Sequence, residues 1–226
     1  MRTVASLLLI AGLIPATAHA KDSAEPTFWM GPVAGFGTYA MGDINDDIQA
    51  INAAGNLSMD EITKGFAYGV QFGINLNPVI GLSAGFERMN ASSDVGGAGA
   101  TLEYNLPANL FFAGVQYSFP SQTAFHFGLG GLLGIVSAAG DIKYTEVGQG
   151  VASGDVSGSS VAIEGRVLGD YYATPEVVLS PSLGYRLAKL GEFKINNRIV
   201  YMGDGSKMAL DYSGVTLRLA LKFLLN

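Results

Sequence analysis

Each segment of this chain that reads as a β-strand sets large apolar side chains on one parity and glycine, alanine or polar residues on the other. The stretch FAYGVQFGINLNPVIGLSAGF (66–86) is the clearest case before the C-terminus. Phe66, Tyr68, Val70, Phe72, Ile74 and Leu76 share one face, and Ala67, Gly69, Gln71, Gly73 and Asn75 share the other. A two-residue period of this kind belongs to strands. The final segment repeats it, with Val215, Leu217, Leu219, Leu221, Phe223 and Leu225 opposing Thr216, Arg218, Ala220 and Lys222. Segments 79–88, 109–119, 125–134, 161–171 and 177–187 alternate likewise, while 27–41 is ambiguous, its Gly31-Pro32 step predicting a bulge or kink.

Alternation does not say which parity faces inward, and a soluble lipocalin-like barrel would alternate too. Steric volume decides it. An eight-stranded barrel has an interior just wide enough for a limited set of side chains. Four to six bulky apolar groups per strand exceed that space, whereas Gly, Ser, Ala and a few polar groups fit. The alternation also lasts for roughly 9–12 residues, the length that crosses a bilayer obliquely. Aromatics cluster near the short turns (Phe119, Phe125, Tyr171, Tyr172, Phe223) and near the long loops (Phe66, Tyr68, Tyr212), as interfacial girdles do. The apolar parity is therefore expected to face lipid.

The connections agree. Short turns at Asn77-Pro78, Phe119-Pro120-Ser121 and Thr174-Pro175 alternate with long polar segments at 42–64, 91–103, 140–158 and 191–209. Seven connections join eight strands, with both chain ends on the short-turn side. The predicted fold class is all-β, an eight-stranded antiparallel up-and-down transmembrane β-barrel. Ahead of it, Arg2, the apolar run Val4 to Ile14, Pro15 and Ala18-His19-Ala20 predict a cleaved secretory signal peptide over 1–20, leaving 21–226 as the barrel domain. The chain has no cysteine, which removes disulfides and a lipoprotein anchor. A net charge of -6 argues against nucleic acid as a partner.

In hairpin rhythm and inside-out alternation, Phe28 to Leu225 resembles the small eight-stranded outer-membrane barrels of Gram-negative bacteria, of the OmpA-domain, OmpX and OmpW type. Such barrels commonly end on an aromatic residue; the last one here is Phe223, three residues before Asn226. The resemblance implies residence in the cell outer membrane, contact with its lipid and lipopolysaccharide, and a monomer. It implies a structural or surface-interaction role through the loops at 42–64, 91–103, 140–158 and 191–209. The alternative is a narrow porin-like conduit for small solutes or hydrophobic molecules.

The candidate site is the lumen. Gln71, Asn75, Glu87, Gln116, Glu164, Arg166, Arg186, Arg218 and Lys222 all fall on the inward parity. They predict a network of charge-assisted hydrogen bonds that either fills the interior or forms a gate; the narrow lumen favours filling. In the first loop Asp43, Asn45, Asp46 and Asp47 imitate the opening of a calcium loop. Ile48 and Ala54 stand where the glycine and final acid belong, so no metal is expected. Ile44, Ile48 and Ile51 instead predict a helix with an apolar stripe over the barrel mouth or against a partner. After signal cleavage His126 is the sole histidine; with Ser118 and Ser121 nearby it makes no recognisable catalytic set, so neither an enzyme nor a cofactor is expected. The loop glycines Gly96, Gly97, Gly99, Gly148, Gly150 and Gly154 read as flexible surface.

Overall fold

The computed structural model describes residues 26–55, 58–97, 100–119, 121, 123–146, 150–202 and 205–225; the expected signal peptide lies outside them. Eight strands form the ring: β1 (Thr27–Thr38), β2 (Lys64–Asn75), β3 (Ile80–Met89), β4 (Ala108–Ser118), β5 (Phe125–Glu146), β6 (Gly150–Thr174), β7 (Val177–Leu187) and β8 (Gly214–Leu225). Each pairs antiparallel with the next, and β8 pairs with β1 to close it. Closure leaves the ring no unpaired edge, which hydrocarbon demands.

The parity that alternation assigns to lipid is exposed along every ring strand, as in Phe36 (64%), Leu133 (60%) and Leu217 (57%). The ambiguous β1 follows the rule, with Phe28, Met30 and Phe36 outward and Trp29 and Val33 inward. Its pairing to β8 lapses over Gly31-Pro32 with equal numbers of residues on both strands, so no bulge is inserted there. Pro32 has no N–H to donate. A Cβ on Gly31 would lie 1.7 Å from the Leu221 carbonyl oxygen. Gly31→Val is accordingly expected to lower stability by about 1–3 kcal/mol or more, measured by the temperature at which the heat-dependent gel shift occurs.

Large apolar side chains also point inward, against the expectation of a small and polar interior: Trp29, Leu110, Phe112, Leu132, Leu168 and Val178 are buried. Glycines make room for them. A Cβ on Gly73 would meet Trp29 at 2.5 Å, on Gly85 Phe112 at 2.7 Å, and on Gly114 Leu132 at 2.3 Å. These glycines are recesses that seat a neighbour's ring or branch.

The short turns at Asn77-Pro78 and Thr174-Pro175 are as predicted, and Pro120 of the third lies outside the described residues; Asn77 Oδ1 accepts from the N–H groups of Val79 and Ile80, each at 2.8 Å. The long segments are not irregular loops. β5 and β6 run 22 and 25 residues and stay paired to Glu146↔Gly150, about twice the 9–11 residues a bilayer crossing needs. A hairpin of Ser92–Gly97 and Ala100–Asn105 adds to the outer part of β5, and one of Lys194–Ile195 and Arg198–Ile199 adds to β6. Asn196 and Asn197 turn the latter with φ of 50° and 64°, the positive pair a two-residue hairpin of this kind wants. Gly96, Gly97, Gly150 and Gly154 thus belong to strands rather than flexible surface; Gly99 and Gly148 lie outside the described residues.

Helix α1 (Gly42–Gly55) lies over the mouth. Ile44 and Ile48 are fully buried in a core that includes Tyr39, Met59, Met89, Leu106, Phe193 and Leu210. Tyr212 belongs to this core as well, its hydroxyl donating to the Leu106 carbonyl at 2.7 Å, so it is no girdle residue. Tyr172 also leaves the girdle, its ring lying 5.1 Å from that of His126. The outward aromatics pair instead, Phe36 with Phe66 and Tyr117 with Phe119.

Candidate functional site

Register brings the charged residues to one level. Glu164 on β6 stands opposite Arg186 on β7, and Arg218 on β8 opposite Ser182, while Glu87 reaches in from β3 on another wall. Arg186 Nε donates to Glu164 Oε2 at 3.2 Å and its Nη2 to Glu87 Oε2 at 3.2 Å. Arg218 Nε lies 2.9 Å from Glu87 Oε1, its Nη2 donates to Glu164 Oε2 at 2.7 Å, and its Nη1 donates to Glu164 Oε1. Thr216 Oγ1 accepts from Arg218 at 3.3 Å, and Arg186 Nη1 meets the Met89 sulfur. All four charged side chains are at most 3% exposed. Two guanidiniums and two carboxylates therefore clamp β3 to β6, β7 and β8 across the lumen.

Lys222 belongs elsewhere. Its Nζ donates to both Asp170 oxygens at 2.8 and 3.0 Å and stands 4.9 Å from the centroid of the Trp29 ring. Asp170 is an ion-pair partner that the candidate set above lacks, although it shares the inward parity of Glu164 and Arg166. Arg166, Gln71 and Gln116 line a cavity of about 10 Å³ together with Ser180 and Ser182. That is room for about one water, and Arg166 Nε has no hydrogen-bond partner among the described residues. Asn75 is half-buried at the far end of β2, apart from the clamp. Among the described residues the lumen carboxylates Glu87, Glu164 and Asp170 number three against Arg166, Arg186, Arg218 and Lys222, one positive charge in surplus.

Polar contacts hold α1 over the clamp. Asn45 brackets Ile62, accepting from its N–H at 2.8 Å and donating to its carbonyl at 3.3 Å; Asn52 does the same to Met59 at 2.9 and 3.0 Å. Asp43 accepts from the N–H of Ala209 at 2.8 Å, and Asp47 from the Tyr104 hydroxyl at 2.5 Å. Burial first, then that hydrogen bond, push the Tyr104 phenol above its ordinary range, keeping it a donor. The acids that imitate a calcium loop thus diverge to separate partners.

His126 Nε2 stands 3.1 Å from the Thr123 carbonyl, and Ser121 Oγ 2.9 Å from Thr123 Oγ1, so the residues near that turn serve the turn.

Among solved structures, the chain is similar to Neisserial surface protein A, at 15% identity and a TM-score of 0.52, covering 89% of this chain and 97% of that one. Others are the Yersinia pestis attachment invasion locus protein Ail (14% identity, TM-score 0.46, 88% and 97% covered) and OprG of Pseudomonas aeruginosa (13%, 0.46, 92% and 98%). No curated protein matches by sequence. The likeness to the Neisserial protein is one of fold. Residues 5–223 match the outer membrane protein beta-barrel domain, and with the closed lipid-facing ring this chain belongs to that family of Gram-negative outer-membrane proteins.

Proposed function

We propose that this protein is a closed, non-enzymatic outer-membrane barrel that acts by binding at its extracellular face. The observation that carries the reading is the Glu87–Arg186–Glu164–Arg218 clamp, which spans the lumen beneath a mouth filled by α1. A conduit would need a wetted path through a cross-section that these four side chains occupy. Breaking buried pairs of this kind costs several kcal/mol. Material for surface binding is ample, since half of β5 and β6 and two added hairpins stand beyond the bilayer. The apolar belt supports lipid and lipopolysaccharide as the surroundings, and the sealed β8–β1 seam supports a monomer.

Reconstitution into planar bilayers tests the reading. The expected record is a flat baseline at voltages the membrane survives. Reproducible stepwise currents from purified protein would overturn it in favour of the narrow channel.

A further inference from the structure

Between α1 and the sheet that rises beyond the bilayer lies a cavity of about 410 Å³, open on one side to the exterior. That volume falls within the range of about 300–1,000 Å³ that small-ligand sites occupy. Its floor is apolar: the half-buried Ile142, Ile195, Val200 and Met202 line it, backed by the fully covered Ile44 and Phe193. Tyr201, 58% exposed, stands at its rim. One wall differs in kind. Successive residues of α1, Asp46 and Asp47, line it, and no Lys or Arg does.

These acids are not consumed by the fold. Asp46 is exposed and makes no hydrogen bond or ion pair among the described residues. Asp47 accepts from the Tyr104 hydroxyl, at 2.5 Å, and has no cationic partner among the described residues. Two of the nearby lysines are engaged with other acids, Lys143 with Asp141 and Lys207 with Glu192, and Lys194, next to Ile195 in the chain, is not among the lining residues.

We infer that this cavity binds a small amphipathic amine, its apolar or aromatic body seated on the half-buried Ile142, Ile195, Val200 and Met202 and its ammonium held by Asp46 and Asp47. The inference deepens the surface-binding reading and rests on it. Charge selects the occupant. A fatty acid or a phosphorylated lipid would bring anions against two carboxylates, the exposed Asp46 and the half-buried Asp47, where like charges repel. An ammonium is attracted there, and the Tyr201 ring offers it a π-face on entry. The adaptable thioethers of Met202 and Met208 let the apolar part of the site accept bodies of differing shape.

Tryptamine is a suitable probe, with indole-3-propionate as its anionic counterpart, each titrated by equilibrium dialysis into protein in nanodiscs against empty nanodiscs. Tryptamine is expected to bind saturably and the anion at least about tenfold more weakly. Asp46→Asn, at an exposed position without structural partners, should weaken tryptamine several-fold while leaving the heat-dependent gel shift unchanged. Ala50→Trp, which fills the cavity from an exposed position of α1, should abolish saturable binding. Equal affinity for the two probes, binding unaltered in Ala50→Trp, or no saturable binding of tryptamine at millimolar concentration would each overturn the assignment. Conductance separates this from the reading beneath it: a protein that ignores amines and passes no current keeps the closed barrel and loses only the amine.

Discussion

Glu87→Leu is expected to lower the unfolding free energy by about 3–5 kcal/mol, the cost of leaving a buried charge uncompensated. Glu87 accepts from both Arg186 and Arg218, and its side chain is 2% exposed. Its removal raises the inward surplus from one positive charge to two and leaves Glu164 as the sole counter-ion between two guanidiniums. Arg166→Met should behave in the opposite way despite its equal loss of a charge. It removes the surplus and deletes an Nε that has no partner, so stability is expected to stay level or rise. Trp29, the single tryptophan, sits inside the barrel and reports unfolding by fluorescence in urea. A Glu87→Leu midpoint equal to that of the unmodified protein, or Arg166→Met falling as far as Glu87→Leu, would show that charge balance does not govern this lumen.

The contrast also marks where sequence reasoning reaches its limit. Strand parity was legible because four to six bulky apolar groups per strand exceed the interior of an eight-stranded barrel. The charges agree with that assignment: a Lys or Arg facing lipid at the bilayer midplane costs about 2–4 kcal/mol, and Arg218 and Lys222 lie on the face opposite Leu217 and Leu221. Parity gives a face and not a height along the barrel axis. It placed Arg166, Arg186, Arg218 and Lys222 together on the inward side but could not show that Lys222 serves Asp170 while Arg186 and Arg218 share Glu87 and Glu164. Heights follow from inter-strand register, such as Glu164 opposite Arg186, which local sequence does not encode. The same gap hid the large inward side chains. Leu132 is acceptable because Gly114 lies against it on the adjoining strand. The outer half of β5 and β6 was obscured differently. Residues 140–158 are rich in Gly and Asp, poor strand formers by propensity, yet 140–146 and 150–158 hold as strands because each is paired to the other and to an added hairpin.

Loosening the mouth should separate the two barriers that close this barrel. Ile44→Asp combined with Ile48→Asp puts two carboxylates where α1 now buries fully covered isoleucines. Truncating a buried isoleucine costs about 2–5 kcal/mol, and burying an unpaired charge costs more. A 14-residue helix is marginal in water without such packing. α1 is therefore expected to detach, seen as rapid hydrogen exchange over 43–53 and as loss of saturable tryptamine binding. The ring buries neither isoleucine between its own strands, so the heat-dependent gel shift should persist. Current should remain absent, because the Glu87–Arg186–Glu164–Arg218 clamp lies deeper than the cap and is untouched. Only when Glu87→Leu is added is a fluctuating conductance expected, with both obstacles weakened. Stepwise currents from the two isoleucine substitutions alone would assign closure to α1 and reduce the charged clamp to a structural tie between β3 and the opposite wall.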